Sequence, residues 1–293
     1  MSEARTTFLG ALLTTLGPIS MAIYTPAMPE LVRAFGTTEA AIKLSLSLFF
    51  GGFALAQLVA GPLSDALGRK AATLIFLAIY LAGSVLAAIA PSVEFILAAR
   101  LIQGIGASVG VVVGRAIVRD LYAGTEAARI LNTIGIFLAV GPAMGPTLGG
   151  LTLAAFSWHA VFVLMIGFGL AAGLCTIVLM RETVIPDLTR LQPARLMRNY
   201  ADVARNRQFL ATAVILSGTI GALYTQATML SFVLINRVGL TPTEFGFGML
   251  MQSGFYLLGS IALKLVVKRL GGARCALIGI TLCGIGGTLM ALS

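Results

Sequence analysis

Charged residues are scarce in this sequence. Only 11% of its 293 residues are Asp, Glu, Lys or Arg, whereas 58% are hydrophobic and the mean hydropathy is +0.98. Soluble domains carry about 25% charged residues, so this chain lacks the polar side chains that a water-exposed surface needs. The composition therefore predicts a membrane protein, in which lipid solvates the apolar excess.

The residue types that build metal centres and catalytic sites are also few. The chain has a single histidine, His159, and three cysteines that lie in or at the ends of apolar runs, Cys175, Cys275 and Cys283. They show no metal-ligand spacing, no H-E-x-x-H motif occurs, and no acid pair lies deep in an apolar run. We therefore expect no metal, no cofactor and no enzymatic activity.

Nine apolar runs are long enough to cross a bilayer, which takes about 20 residues. We predict that all nine are helices, because lipid offers no hydrogen-bond partner to open strands. The first run follows Arg5 directly and is interpreted as a retained span. The runs cover residues 8–28, 40–63, 71–91, 94–117, 129–151, 158–180, 208–232, 243–266 and 275–292.

The distribution of basic residues predicts the orientation. With the N-terminus inside, fourteen of the 20 lysines and arginines lie on the inner side and only Arg33, Lys43 and Arg237 on the outer side. Inner loops are normally enriched in Lys and Arg, so this bias favours a cytoplasmic N-terminus. We therefore interpret the net charge of +9 as basic loops that lie beside the lipid bilayer, and not as a nucleic-acid-binding surface.

The longest loop predicts the domain organisation. Within it, Leu196, Met197, Tyr200 and Val203 share one helical face, which indicates either an amphipathic helix on the inner leaflet or a solvated basic linker. We predict a six-helix N-terminal bundle over 1–182, a basic linker over 183–207 and a partial C-terminal bundle over 208–293. Six spans followed by three suggest a C-terminally truncated chain, because two-half transporters use six plus six.

The loop after the second span reads G-P-L-S-D-A-L-G-R-K over residues 61–70. Its glycines allow a tight turn between antiparallel helices, and its basic pair holds the loop inside. The loop resembles the G-x-L-x-D-x-x-G-R-K element of the major facilitator superfamily, and a weaker echo without an acid covers 264–274. The resemblance implies a conformational loop motif made by Gly61, Asp65, Gly68, Arg69 and Lys70. Arg119 lies at the same inner surface, where it is either the partner of Asp65 in this motif or an interfacial anchor.

The fourth span carries an arginine among apolar residues, in the run R-L-I-Q-G-I-G-A over 100–107. A charge in lipid is costly, so Arg100 either faces a cavity or extends to the outer interface. The run resembles the R-x-x-Q-G-x-G element of the same superfamily, which implies a cavity arginine. Gly106, Gly110 and Gly114 form a small-residue stripe that predicts close helix packing. The glycines do not form a nucleotide-binding loop, because no strand precedes them.

The fifth span contains two prolines and four glycines in the run G-P-A-M-G-P-T-L-G-G over 141–150. In a membrane such a run predicts a kinked, smooth helix that packs tightly against a neighbour. It resembles the G-P-x-x-G-P-x-x-G-G element of major facilitator antiporters. The resemblance assigns this antiporter helix motif to Gly141, Pro142, Gly145, Pro146, Gly149 and Gly150.

Two further runs, 114–120 and 24–29, resemble the drug-exporter family of bicyclomycin and chloramphenicol resistance. That family carries an aspartate where this chain has Ala22, and an acid at membrane depth is the usual proton carrier. No Asp or Glu lies deep in any predicted span. Either Glu94 or Glu30 takes the role, or an acid lies outside this chain, or proton coupling is altered or lost.

The resemblance implies a drug:proton antiporter that exports small amphipathic compounds by alternating access, as a monomer in the bacterial inner membrane. Its partners would be the lipid bilayer, a small-molecule substrate and protons, without nucleic acid. A major facilitator carrier for a small metabolite and an inactive remnant are the alternatives. The first, fourth and seventh spans would line the substrate cavity, which favours Tyr24, Met28, Arg100, Gln103, Tyr224 and Gln226.

Overall fold

The computed structural model describes residues 1–292, and every regular element in that range is a helix. Within these helices some side chains fall outside the description, at positions 139, 140, 142, 190, 193–195, 219, 223, 227, 256, 257, 260, 264, 267, 268, 272, 273, 276 and 290–292. The predicted contribution of Pro142 and part of the predicted loop echo at 264–274 therefore lie outside the described residues.

Eleven α-helices follow one another along the described chain. A 3-10 turn, Thr25–Ala27, joins the first two, and a π-helical turn, Val233–Arg237, follows the ninth. Each predicted apolar run coincides with helix, as expected where backbone groups must satisfy one another. The helices are α1 (Glu3–Tyr24), α2 (Met28–Ala34), α3 (Glu39–Leu67), α4 (Arg69–Ala88), α5 (Val93–Leu121), α6 (Gly124–Ala155), α7 (Trp158–Leu179), α8 (Pro193–Arg205), α9 (Arg207–Phe232), α10 (Pro242–Leu270) and α11 (Gly272–Leu292).

Seven segments of the described chain are long and apolar enough to cross a membrane. The first six correspond to the six predicted N-terminal spans and the seventh to the span after the basic loop. The eighth and ninth runs form α10 and α11, and their role as spans stays a prediction. The seven segments are Glu3–Ala34, Glu39–Leu67, Arg69–Ala88, Val93–Leu121, Gly124–Ala155, Trp158–Leu179 and Arg207–Arg237.

Helix α5 lies at the centre of the N-terminal bundle, where it packs against α1, α3 and α4. Glycines make these contacts close. A methyl group added at Gly104 would meet the Phe49 backbone of α3, and one at Gly106 would meet the Tyr80 backbone of α4. At Gly110 and Gly114 the same addition would meet Leu13 and Thr14 of α1. The predicted role of this glycine stripe in close packing is therefore confirmed.

Helix α6 packs along α1 through the proline–glycine run. Gly141 lies against Thr15, Gly145 against Ala22, and Gly149 against Ile23 and Pro26. Gly150 faces the other way and lies against Pro242, at the start of α10. The run therefore gives α6 two smooth faces, which explains its glycine content by packing.

The chain divides into two compact units, Met1–Met249 and Leu250–Ser293. The first contains α1 to α9 and the start of α10; the described part of the second contains the rest of α10 and α11. Helix α8 confirms the predicted short helix in the basic loop, and Met197 is 71% exposed on it. Its position on the leaflet and the domain limits at 183–207 stay predictions.

Substitution of Gly110 tests the close packing of α5 on α1. We expect Gly110→Val to lower the free energy of unfolding by about 1–3 kcal/mol, because the new side chain overlaps the Leu13 carbonyl. Thermal unfolding in detergent, followed by Trp158 fluorescence, measures the change. Gly173→Val is the matched control, because nothing lies within 4 Å of a methyl group at that helical glycine. Equal destabilisation of both variants would contradict the prediction.

Candidate substrate site

Arg100 is the largest fully buried side chain of the described residues. Its guanidinium carbon lies 4.4 Å from the ring centroid of Tyr24 and 4.3 Å from that of Phe49. The charge is thus held between two aromatic faces, whose negative quadrupoles attract cations. The prediction that Arg100 faces the interior instead of the outer interface agrees with this placement.

The hydrogen bonds of Arg100 are incomplete. Its Nη1 donates to Gln103 Oε1, whereas Nε and Nη2 are buried without a hydrogen-bond partner among the described residues. Gln103 in turn donates from Nε2 to Ser84 Oγ at 2.7 Å and to Met165 Sδ at 3.3 Å. A buried guanidinium with two unsatisfied donors is costly, and the two aromatic faces offset part of that cost.

Hydroxyl groups from three neighbouring helices, α1, α3 and α4, surround this charge. Tyr80 Oη lies 2.7 Å from Ser20 Oγ, and Tyr24 Oη lies 2.6 Å from Ser45 Oγ. Each of these serines also donates to a carbonyl of its own helix, which fixes its orientation. We call Ser20, Tyr24, Ser45, Phe49, Tyr80, Ser84, Arg100, Gln103 and Met165 the Arg100 cluster.

The cluster contains three of the six predicted cavity residues, Tyr24, Arg100 and Gln103. Met28 is buried in the same hydrophobic core. Tyr224 lies on α9, with its ring edge-on to Phe50 at 4.8 Å, and Gln226 is half-buried on the same helix. Their roles in binding stay predictions.

Sequence reasoning missed the other members of the cluster, of which Phe49, Tyr80 and Ser84 make the most direct contacts. A signal was present for two of them. Polar side chains at membrane depth usually face the bundle interior, and both Tyr80 and Ser84 interrupt an apolar run. Phe49 gave no such signal, because a phenylalanine in an apolar helix is ordinary.

No carboxylate shares the interior with Arg100. All eleven acidic residues lie in the described part of the chain, and none of them is buried. Glu94 is exposed on the first turn of α5 and Glu30 is half-buried on α2. Ala22, at the position where the resembled family has an aspartate, packs against Gly145 of α6. The sequence-based expectation of no deep acid is therefore confirmed.

A second polar group lies at the predicted inner end, which we define as the end with the 61–70 loop. Arg69 bridges two helices there: it pairs with Asp65 on α3, and its Nε lies 2.9 Å from Asp120 Oδ2 on α5. Thr183 Oγ1 also donates to Asp120 Oδ2 at 2.7 Å. The expected pairing of Asp65 with Arg119 is not found; Arg119 is exposed, and Arg69 reaches Asp65 from one helical turn away.

Glu182, which follows α7, binds the start of α4. Its Oε1 accepts from the Arg69 amide at 2.6 Å and its Oε2 from the Lys70 amide at 3.2 Å. Gly68 has φ +94°, and a methyl group there would meet the Glu182 carboxylate. Gly68 therefore permits both the turn and the close approach of Glu182, whereas Gly61 has only ordinary contacts. Sequence reasoning gave Glu182 no role.

The opposite end of the first unit is closed by contacts with α9 and the start of α10. Asn236 donates to Glu39 at 3.4 Å, and Lys43 Nζ lies 4.5 Å from the Phe232 ring centroid. Thr147 Oγ1 donates to the Gly246 carbonyl at 2.9 Å. Helices on both sides of the basic loop therefore meet at the predicted outer end.

Comparisons with known proteins identify the family. Residues 10–293 match the Major Facilitator Superfamily, and the chain belongs to it. A Bacillus subtilis protein described as the uncharacterised MFS-type transporter YdgK is 29% identical over 86% of this chain and 65% of its own length. The multidrug resistance protein MdtL of Klebsiella pneumoniae is 27% identical over 82% of this chain and 61% of its own. The chain thus spans less than two thirds of both relatives.

A solved structure confirms the fold. The inward-facing crystal structure of a bacterial homologue of the human lysosomal transporter Spinster superposes with a TM-score of 0.72 at 17% sequence identity. The superposition covers 91% of this chain and 64% of that one. The predicted all-α membrane protein with a major facilitator fold is therefore correct.

Removal of the Glu182 charge tests its bond to α4. We expect Glu182→Gln to lower the free energy of unfolding by about 1 kcal/mol, because a carboxylate at a helix N-terminus is stabilising. Hydrogen exchange should become faster at the Arg69 and Lys70 amides, as measured by mass spectrometry. Glu126→Gln, an exposed acid on the first turn of α6, is the control. Unchanged exchange at these amides in Glu182→Gln would count against the assignment.

Proposed function

We propose that this chain is a drug:proton antiporter that exports small amphipathic compounds by alternating access. The observation that carries the proposal is the Arg100 cluster, where a buried cation with two free donors lies between aromatic rings. Apolar and aromatic walls with few placed polar groups suit amphipathic compounds. The name of the MdtL relative and the resemblance to the bicyclomycin and chloramphenicol resistance family support the same substrate class.

Alternating access requires two ends that open in turn. Contacts of α3 and α6 with α9 and α10 close the predicted outer end of the first unit. The ion pairs of Arg69 and the Glu182 bond to α4 tie three helix ends together at the predicted inner end. We propose that the outer-end contacts serve as a gate and that the inner-end contacts hold the helices of the N-terminal bundle together as it moves. The basic 183–207 segment is proposed as the linker between the two bundles.

Arg100 is proposed to couple transport to protons. With no buried acid among the described residues, Glu94 and Glu30 are the candidate proton carriers within this chain. Glu94 precedes Arg100 by six residues, which is about 9 Å along α5. We further propose a cytoplasmic N-terminus and action as a monomer in the bacterial inner membrane, with lipid as the surrounding solvent.

Substrate-driven proton movement tests the proposal. The chain is reconstituted in liposomes with an interior pH dye, and cationic and neutral drugs are added under an imposed gradient. We expect drug-dependent proton flux that Arg100→Ala abolishes. Arg100→Met, which keeps most of the side-chain volume without the charge, should also abolish the flux and unfold at an unchanged or higher temperature, because it removes a buried charge without leaving a large cavity.

Control variants test which residues take part in proton coupling. Arg237→Ala removes an exposed arginine at the predicted outer end and should leave the flux unchanged. Glu94→Gln and Glu30→Gln identify the carrier, since only the residue that carries protons should uncouple drug movement from proton movement. Absence of flux in the wild-type chain would overturn antiport by this chain. It would leave the inactive remnant and the small-metabolite carrier, to which the hydrogen-bonding Gln103 and Ser84 are also suited.

A further inference from the structure

A separate polar pocket opens between α1, α5 and α6, in the half nearer the predicted inner end. Its volume is about 310 Å³, which lies at the lower limit for small-molecule sites. On α5 it lies 15 residues from Arg100, which is about 22 Å along the helix. Its polar lining is Thr14, Arg115 and Asn132, and its apolar lining is Leu131, Ile134 and Leu138.

The polar groups of this pocket are not satisfied by the protein. Thr14 is fully buried, and its Oγ1 has no hydrogen-bond partner. Arg115 and Asn132 are exposed and make no side-chain hydrogen bond or ion pair within the described part of the chain. The Thr14 hydroxyl lies beside Gly114 of α5 and is inaccessible, so a ligand in the pocket can pair only with Arg115 and Asn132. A free cation beside a free amide is an arrangement that an acceptor-bearing ligand completes.

The acids on the lining helices do not neutralise Arg115. Glu3 on α1 lies 2.7 Å from Arg129, and Asp120 on α5 is paired with Arg69. Glu126 on α6 precedes Asn132 by six residues and so lies about 120° away around the helix. The pocket is therefore electropositive, and its ligand should carry a negative charge.

We propose that this pocket binds the anionic end of an amphipathic organic carboxylate. Arg115 supplies the charge, Asn132 donates a hydrogen bond, and Leu131, Ile134 and Leu138 contact the apolar body. The proposal rests on the proposed function, in that it makes this pocket the inner docking site for the anionic members of the exported class.

Binding by probes that differ only in charge tests the site. The chain is placed in phosphatidylcholine nanodiscs, and dissociation constants are measured for 4-phenylbutyrate, 4-phenylbutan-1-ol and 4-phenylbutylamine. We expect the carboxylate to bind about tenfold or more tightly than the alcohol, and the amine to bind least, because charge-assisted hydrogen bonds are the strong ones. Equal affinity of the carboxylate and the alcohol would overturn the proposal.

Variants then locate the binding. Arg115→Gln and Asn132→Asp should each weaken phenylbutyrate binding about tenfold or more, through lost attraction and added repulsion respectively. Arg198→Gln, which removes an exposed charge of α8, is the matched control. Unchanged affinity in Arg115→Gln would contradict the assignment even if Asn132→Asp were unfolded.

Two further measurements distinguish a solute site from a lipid site, and the pocket from the proposed antiport. Displacement of phenylbutyrate by phosphatidylglycerol in the nanodisc would make the pocket a lipid-headgroup site and would overturn binding of a transported solute. Charge-selective binding without drug-driven proton flux would support the pocket and reject the antiporter. Flux of neutral drugs without charge-selective binding would support the antiporter and reject the pocket.

Discussion

An uncompensated guanidinium inside a lipid-solvated bundle is the constraint on which this structure depends. Arg100 has no buried acid as a counter-ion, so its charge is stabilised by two aromatic faces, the Gln103 amide and the nearby hydroxyls. Gln103 lies on α5 itself, and the rings and hydroxyls come from helices that must stay close to α5. The cluster therefore couples the chemistry of one side chain to the packing of most of the N-terminal bundle.

Small residues make that closeness possible. Helix α5 approaches α1, α3 and α4 through glycines, and α6 approaches α1 through the proline–glycine run. Between membrane helices there is no hydrophobic driving force, so close backbone contact has to supply the association energy. The same contacts leave little room for a larger side chain at Ala22, which is held against Gly145.

The sequence was sufficient to predict the helices, because about twenty apolar residues in lipid have few other conformations. The cost of a charge in lipid left Arg100 either in a cavity or at the outer interface, and the resemblance to the R-x-x-Q-G-x-G element favoured the cavity. The sequence did not predict which rings hold Arg100 or that Glu182 binds the Arg69 amide 113 positions away. Such contacts depend on tertiary packing, which leaves no local periodicity; for the same reason Arg69, and not Arg119, proved to be the partner of Asp65.

The lone charge of Arg100 has an electrical consequence. A full elementary charge crossing the membrane field changes the free energy by about 2.3 kcal/mol per 100 mV. Under the proposed alternating access, Arg100 stays with its bundle while the aqueous path changes sides, so the charge occupies a different fraction of the field in each state. An interior-negative voltage then favours the state in which Arg100 communicates with the inside. Membrane potential, and not substrate alone, would set the resting conformation of this protein.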